Sequence, residues 1–349
     1  MLMKRIASYV VISALFIWVV IFSAGCAGEK AAKPEKIRII FETDMGNDVD
    51  DAMALDMLYK YMDAGKVDLL AITVNKDSKS SAQYIDMLGT WYGYPDVPIG
   101  IVRDGVTFEP GSPFLDAVTG LCNEDGSAMF ARSHSDYEQL PDAHILYRKI
   151  LAQQPDNSVV IASVGFSTNL ARLLDTPADE YSPLTGKELV ARKVRLLSAM
   201  AGHLSDPDFR EFNVVQDVPS AQKVFAEWPT EVVISPFELG VSAKYPWDRL
   251  EQDLSWVEKH PVIESCMAYH QRECDHNTFD LTSVLYAVEG PSCFTVSGPG
   301  RFEINDEGIS VFTPSENGKA KYLVADEATY PAIIDSFSSL LSCPAARDN

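Results

Sequence analysis

The feature that most constrains the fold is the alternation of short apolar segments with amphipathic segments of helical length. Six of the short segments are rich in β-branched residues and are typical of buried strands. They span 37–41, 67–74, 98–102, 158–164, 194–200 and 231–235. Segments such as DDAMALDMLYKYMDAG and STNLARLL lie between them, with apolar residues at three- and four-residue spacing. Apolar strands joined by crossover helices predict an α/β fold with a mostly parallel central sheet and helices on both faces.

The chain after Pro246 follows a different pattern. A long stretch of helical periodicity, WDRLEQDLSWVEKHPVIESCMAYHQREC, precedes DLTSVLYAVEG, which also predicts a helix. Turn residues between 294 and 325 predict antiparallel strands or hairpins, and EATYPAIIDSFSSLLS predicts a closing helix. No internal repeat or low-complexity linker interrupts the sequence, so we expect one domain over 37–343 that includes these C-terminal hairpin and helix additions.

The N-terminal segment has the pattern of an export signal. Two basic residues precede the apolar run YVVISALFIWVVIF, and small residues follow up to Cys26, which predicts a signal peptide over 1–26. The segment SAGC resembles the lipobox of bacterial lipoproteins, with Ser23 where leucine is usual, and this implies lipidation of Cys26. The alternative is an uncleaved membrane anchor, for which the run is short. Either way we expect the folded part outside the cytoplasm, on a periplasmic or cell-surface face, behind a short tether over 27–36.

Charge and cysteine content disfavour several classes of function. The formal net charge is -21 and no run of Lys and Arg occurs, which argues against a nucleic-acid partner. The cysteines other than Cys26 form no CxxC pair and no Cys/His pair at zinc spacing, so a disulfide framework and a structural zinc site are both disfavoured. A disulfide between Cys266 and Cys274 and a pair of buried free thiols both remain open.

An acidic motif follows the first predicted strand directly. The stretch ETDMGNDVDDAMAL contains five acids within ten residues: Glu42, Asp44, Asp48, Asp50 and Asp51. Other polar residues follow the later strands, among them Asn75, Glu211 and Asn213. Because ligands bind at the carboxyl ends of the strands in such a sheet, we expect these side chains to converge at one edge. Glu42 is expected to lie on the strand side, outside the site.

Several carboxylates in one cleft need a counter-charge. Two of them about 4 Å apart repel by roughly 1 kcal/mol in water, and by several-fold more in a partly dry cleft. Hard oxygen ligands without a nearby pair of Cys or His residues predict Ca²⁺ or Mg²⁺, and a mixture of carboxylates with backbone carbonyls favours Ca²⁺.

The acidic motif has other interpretations. Asp48 and Asp50 could cap a helix that begins at Asp51, because carboxylates complement a helix N-terminus. An EF-hand loop is excluded because Val49 and Leu55 occupy the positions that require Gly and Glu. A metal-dependent phosphatase with its DxD pair at 48–50 remains a weaker competitor.

The motif resembles the N-terminal signature of the inosine/uridine-preferring nucleoside hydrolases, DTDxGxDDAxAL. Here it is TDMGNDVDDAMAL, with two residues inserted between Gly46 and Asp50. Four further stretches are similar to family segments and occur in the same order: VDLLAITVN, SVGFSTNLARLL, EFN at 211–213 and FDLTSVLYAV at 279–288. The resemblance covers most of the chain after the signal segment. It implies hydrolysis of the N-glycosidic bond of ribonucleosides to ribose and base.

The same resemblance implies roles for individual residues. The Ca²⁺ ligands would be Asp44, Asp51, Asp280 and the carbonyl of Val164. The ribose would be held by Asp50, Asn75, Glu211 and Asn213. Asp44 would also take the proton from a metal-bound water, whereas the role of Asp48 is left undetermined by the insertion. Simpler interpretations remain open: Asn75 as a turn residue, Glu211 and Asn213 as loop polar groups, and Asp280 as the N-cap of the helix LTSVLYAV.

Phe279 is the main departure from the family pattern. It stands where many members place the histidine that protonates the departing base. The ring could stack on the base or simply pack in the core, and His276, His270 or His203 could supply the acid instead. A riboside-binding protein without efficient chemistry is therefore the alternative to an active hydrolase. The base and sugar preference and the oligomeric state, including a homo-oligomer, are left open.

Overall fold

The first six strands are parallel neighbours, and their order places the polar strand ends side by side. The structure is a computed structural model that describes residues 35–108 and 114–346. The predicted signal peptide over 1–26, Cys26 and most of the tether lie outside the described residues. The six strands are β1 (Ile37–Thr43), β2 (Val67–Lys76), β3 (Ile99–Val106), β4 (Val159–Ser163), β5 (Val194–Met200) and β6 (Glu231–Ser235). All six predicted strands are thus confirmed.

Four later strands extend this sheet. They are β7 (Thr295–Val296), β8 (Gly300–Ile304), β9 (Ser310–Pro314) and β10 (Ala320–Val324). The order across the sheet is β3-β2-β1-β4-β5-β6-β10-β8-β9, and β7 pairs with β10. The predicted antiparallel strands are present, since β8 pairs antiparallel with both β9 and β10. However, β10 joins β6 in parallel, so the hairpin region continues the main sheet.

Helices cover both faces of the sheet. They are α1 (Asp50–Asp63), α2 (Lys79–Tyr92), α3 (Phe114–Thr119), α4 (Ala143–Gln153), α5 (Thr168–Asp175), α6 (Gly186–Lys193), α7 (Phe212–Gln216), α8 (Val218–Glu227), α9 (Phe237–Ser242), α10 (Trp247–Asp253), α11 (Pro261–His270), α12 (Phe279–Glu289) and α13 (Tyr330–Leu341). The long helical stretch predicted after Pro246 is divided into α10 and α11. Pro261 starts α11 because it lacks an N–H, and His260 caps that helix by accepting from the N–H of Val262 at 3.2 Å.

Alternating side chains of β1 enter two separate cores. Ile39 and Phe41 belong to the core shared with α1, α2 and α12, whereas Ile40 belongs to the core that includes Leu146 of α4 and Leu170 of α5. The period-two alternation thus explains why a strand with an unbroken apolar run needs helices on both faces. The described residues form one compact unit, and no helix within them is long and apolar enough to span a bilayer.

The strand order determines where a ligand crevice opens. From β1 the chain moves outward to β2 and β3, and then returns to β4 on the other side of β1. The crossovers therefore diverge between β1 and β4, which leaves a crevice outside their carboxyl ends. Glu42 pairs with Ser163 in the register of these two strands, so the residues after Thr43 and after Ser163 are neighbours.

Candidate active site

The acidic loop between β1 and α1 is held in one conformation. Met45 donates its N–H to Oγ1 of Thr43 at 3.0 Å, and its carbonyl accepts from the Ser81 hydroxyl at 2.6 Å. Gly46 has φ of +108°, and a Cβ there would collide with Leu115, so the turn requires glycine. The loop then presents Asp44 and Asp48 to the crevice.

Three carboxylates group most closely at this edge. Asp48, Asp50 and Asp280 each offer an oxygen that lies within 4.8 Å of the other two. Helix α12 brings Asp280 to the loop because it packs against α1, and the Asp280 N–H donates to Oδ2 of Asp50 at 3.0 Å. The expected ligand set named Asp51 and Asp44 beside Asp280. Here Asp51 accepts a hydrogen bond from the Thr43 hydroxyl, and Asp48, whose role the insertion leaves undetermined, joins Asp50 and Asp280 in this group.

Helix capping does not explain these acids. Helix α1 begins at Asp50 with Val49 as its N-cap, and no side chain makes a capping hydrogen bond there, so the expected start at Asp51 is wrong by one residue. Likewise α12 begins at Phe279 with Thr278 as N-cap, so the N-cap interpretation of Asp280 is wrong. Both helices instead direct their N-terminal ends toward the carboxylates, which favours negative charge there.

Burial and mutual repulsion raise the pKa values of all five aspartates at this edge. Burial raises the pKa of Asp44 to about 7 and the pKa of Asp50 to about 6, with further contributions from neighbouring carboxylates. The pKa values of Asp48, Asp51 and Asp280 are raised well above the usual range for the same reasons. Buried carboxylates in mutual repulsion are a donor set that fits a hard divalent cation, because the ion would replace the protons.

Asp44 is oriented by a small polar network. Its Oδ2 accepts from the Asn47 amide at 2.5 Å, and Asn47 in turn accepts from Nζ of Lys76 at 3.1 Å. Lys76 also lowers the pKa of Asp44 through its charge, although less than burial raises it. A Cβ on Gly165 would lie 2.7 Å from Oδ1 of Asp44, so glycine after β4 allows this close approach.

Of the three predicted ribose contacts beyond the motif, Glu211 and Asn213 line the cleft, whereas Asn75 is buried beside Gly165. Asn75 is fully buried, and its Oδ1 would also be 2.7 Å from a Cβ on Gly165. The amide of Asn213 donates to the carbonyl of Val164 at 3.0 Å, so this carbonyl faces the cleft residues as expected. Glu211 caps α7: its carboxylate accepts from the N–H groups of Gly202, Asn213 and Val214 at 2.8–3.1 Å. Its carboxylate therefore orders the 202–214 loop as well as lining the cleft.

A cleft of about 220 Å³ opens above these groups. Its lining comprises Asp44, Asn47, Asp48, Phe108, Val164, Met200, Glu211, Phe212, Asn213, Phe237, Tyr269, Phe279 and Asp280. Phe279 stacks on Phe237 with ring centroids 4.9 Å apart and planes 23° from parallel, and Phe108 packs against Phe212 at 5.2 Å. The cleft thus has an acidic floor and aromatic walls.

Sequence reasoning missed most of the aromatic wall. Phe237 lies two residues after β6, so the strand-end rule that selected Asn75 would have found it. Tyr269 lies on α11 and carries no local signal of its role, because the packing of that helix alone brings it to the cleft.

Within the described ranges, no histidine lines this cleft. His276 is buried, its Nδ1 lies 3.0 Å from Nε2 of His270, and its backbone pairs with Tyr245. Burial lowers the pKa of His276 to about 4, so it is neutral at neutral pH. His203 packs against Phe209 and Phe237 and lines a separate cleft. Cys266 and Cys274 are free thiols here.

Comparisons with known proteins agree with this geometry. The profile of the family described as "Inosine-uridine preferring nucleoside hydrolase" matches residues 39–332. No curated protein matches the chain significantly. Among solved structures, a plant nucleoside hydrolase, PpNRh1, has 17% identity and a TM-score of 0.68, with 89% of this chain and 100% of that chain covered.

Two further structures share the fold. The purine-preferring ribonucleoside hydrolase from Gardnerella vaginalis has 17% identity and a TM-score of 0.67, covering 87% of this chain and 98% of that one. The type III effector protein XopQ, complexed with adenosine diphosphate ribose, has 15% identity and a TM-score of 0.61, covering 89% and 93%. The profile match extends from β1 to α13 and includes the whole acidic cleft. The chain therefore belongs to the inosine-uridine preferring nucleoside hydrolase family.

Proposed function

We propose that this chain hydrolyses the N-glycosidic bond of ribonucleosides, releasing ribose and a free base. The observation that carries the proposal is that the carboxylates of Asp48, Asp50 and Asp280 lie close together, beside Asp44, at the mouth of the β1/β4 crevice. A riboside that enters the cleft would meet acids at its sugar end and aromatic rings at its base end. Negative surroundings favour the oxocarbenium-like transition state of glycosidic cleavage.

The metal in this proposal is Ca²⁺. It would be held by oxygens of Asp44, Asp51, Asp280 and the carbonyl of Val164, with Asp48 as a further donor from its position beside Asp280. When bound, the ion would neutralise the cluster and make a coordinated water easier to deprotonate.

Asp44 is the proposed general base. Because the Asn47 amide donates a hydrogen bond to Oδ2 of Asp44, the other oxygen, Oδ1, is the one that accepts the proton from the attacking water. Asp50 and Asn75 accept hydrogen bonds from ribose hydroxyls, and Asn213 fixes the Val164 carbonyl beside them. Together these contacts orient the anomeric carbon toward the water. Such orientation lowers the barrier to the reaction more than any single contact does.

The base is held without a histidine acid. Phe279 and Phe237 provide a stacked aromatic wall on which a purine or pyrimidine ring would lie. Departure of the base then relies on stacking and on solvent for its proton. We therefore expect ribosides with acidic leaving groups to be cleaved fastest.

A direct experiment tests the proposal. Residues 27–349 are offered inosine, adenosine, uridine and a phosphate monoester, with and without a chelator, and release of base or phosphate is followed. Release of a free base that disappears in Asp44→Asn and in chelator supports the proposal. Release of phosphate instead of base contradicts it.

The second candidate function is riboside binding without efficient turnover. It is favoured by one observation, the lack of a histidine in the lining of the described cleft. The crystal structure of the structural relative XopQ is complexed with adenosine diphosphate ribose, which is in keeping with this candidate. Calorimetry that finds tight nucleoside binding while no base is released would favour this candidate over the hydrolase.

We further propose that the protein is exported and held at a membrane through a lipid on Cys26. The proposal is supported by the SAGC segment and the preceding apolar run. The described chain enters the sheet at the N-terminal end of β1, whereas the cleft lies beyond its carboxyl end. Metabolic labelling with a radioactive fatty acid tests this, because Cys26→Ala must lose the label and the membrane association.

A further inference from the structure

Glu42 is a buried carboxylate outside the predicted site, and its contacts are specific. It is the penultimate residue of β1 and is fully buried. Its Oε2 accepts from the Tyr147 hydroxyl at 2.6 Å and from the Thr73 hydroxyl at 3.4 Å, and its Oε1 accepts from Nδ2 of Asn75 at 3.2 Å. Burying a carboxylate costs free energy that its hydrogen bonds offset only in part, so the specific contacts of Glu42 call for an explanation.

The contact with Asn75 determines which end of that amide is directed to the side of Asp44, a residue that lines the cleft. Nδ2 of Asn75 is directed to Glu42, while Oδ1 is buried without a hydrogen-bond partner in the described part of the chain. Oδ1 lies beside Oδ1 of Asp44, since both are 2.7 Å from the position of a Cβ on Gly165. Rotating the amide by half a turn would place Oδ1 against the Glu42 carboxylate, where two acceptors repel.

We propose that Glu42 is a positioning residue that orients the Asn75 amide, so that Oδ1 is presented as the acceptor for a ribose hydroxyl. This inference rests on the proposed riboside function. Glu42 does not line the cleft, and it acts on the site through Asn75. If Glu42 only supported the sheet, its substitution would have the same effect on KM whether or not Asn75 were present.

A double-mutant cycle separates these roles. Glu42→Met removes the acceptor, and Asn75→Ala removes the group that is positioned. In the protein that keeps the native Asn75, Glu42→Met is expected to raise KM for the best riboside by about 10- to 100-fold. In the Asn75→Ala background the same substitution is expected to raise KM by less than about 3-fold. Equal losses in both backgrounds would overturn the proposal.

Two further variants separate positioning from folding. Glu42→Gln keeps an oxygen for Asn75 and supplies an amide donor to the Tyr147 hydroxyl oxygen, so it is expected to retain KM within about 3-fold. Tyr147→Phe removes the strongest contact of Glu42 but leaves Asn75 in place, so it is expected to lower Tm with little change in KM. A rise in KM for Tyr147→Phe as large as that for Glu42→Met would contradict a role through Asn75.

A suppressor pair keeps the test decisive if Glu42→Met does not fold. Asn75→Asp places two carboxylates face to face, and adding Glu42→Gln restores a donor between them, so the double variant is expected to recover KM by about 10-fold. No recovery overturns the proposal. If the wild type releases no base, equilibrium binding of inosine and of ribose replaces KM in the same cycles; absence of both turnover and binding in the wild type refutes the proposed function itself.

Discussion

The backbone N–H of Asp280 donates to Oδ2 of Asp50 across 3.0 Å, although the two residues are 230 positions apart in the chain. This bond joins the first turn of α12 to the first turn of α1, so the N-terminal ends of two helices meet at one group of carboxylates. The partial positive charge of both ends stabilises negative charge there, but it does not offset several buried carboxylates.

The first prediction concerns the cation. Asp280→Asn removes one of the three closest carboxylates, so it is expected to raise Tm in chelator at pH 8, where repulsion is largest. It is also expected to abolish the rise in Tm that added Ca²⁺ causes in the wild type, where an ion at 100 times its Kd raises the free energy of unfolding by about 2.7 kcal/mol. Thermal melts with and without Ca²⁺ measure both effects.

Asp96→Asn is the matched control, because Asp96 is exposed and lies outside the cleft. It should melt like the wild type with and without Ca²⁺. If Ca²⁺ raises the Tm of Asp280→Asn as much as it raises the Tm of the control, Asp280 is not a ligand of the ion.

The second prediction concerns the general base. Asp44→Asn keeps the size of the side chain and the contact with Asn47 but cannot accept a proton, so kcat for base release is expected to fall by about 10²- to 10⁴-fold. Tm in chelator should not fall, because a buried carboxylate with a pKa of about 7 is replaced by a neutral group. Steady-state kinetics at saturating Ca²⁺ and a melt of the same sample check it; unchanged kcat would assign the base elsewhere.

The third prediction concerns the departure of the base. Phe279→His restores an acid at the end of the cleft and is expected to raise kcat for inosine, whereas kcat for p-nitrophenyl riboside, whose leaving group needs no proton, should stay nearly constant. Phe279→Leu serves as a control that removes the ring without adding an acid, and it should raise KM for both substrates. If Phe279→His leaves the inosine rate unchanged, a missing acid is not what limits turnover.

The fourth prediction concerns acid stability. The Asp86 carboxylate accepts hydrogen bonds from the Ser133 and Tyr137 hydroxyls and from the His134 backbone N–H. Although burial acts in the opposite direction, these bonds hold the pKa of Asp86 down at about 2. Its folded pKa lies below the unfolded value, so its stabilisation is complete above about pH 4 and is lost as pH falls toward 2.

Asp86→Asn is therefore expected to lower the free energy of unfolding at pH 7, and its difference from the wild type should shrink between pH 4 and pH 2. Urea titrations at several pH values measure this difference. Asp96→Asn again provides the exposed control. A difference that stays constant down to pH 2 would mean that the charge of Asp86 is not what anchors the 133–137 loop.

Local periodicity was sufficient to predict the strands and most of the longer helices, because burial of one face or of both faces imposes a pattern on neighbouring residues. Where the pattern is short, other signals matter. Helix α6 was not predicted, yet Thr185 and Glu188 form a capping box whose spacing is visible in the sequence. The parallel pairing of β10 with β6 has no comparable local signal, because it joins segments that are distant in the chain.

The sequence by itself determined the α/β class, the acidic loop after the first strand and the family resemblance, since these depend on composition and spacing along the chain. Only the tertiary structure decided that Asp48 and Asp50 come together with Asp280, that Glu42 accepts a hydrogen bond from the amide of Asn75, and that Phe279 stacks on Phe237. The physical reason is that these relationships depend on how α12 and the strand ends pack together. A shift of a few ångströms in that packing changes which carboxylates share an ion, while the local pattern stays the same.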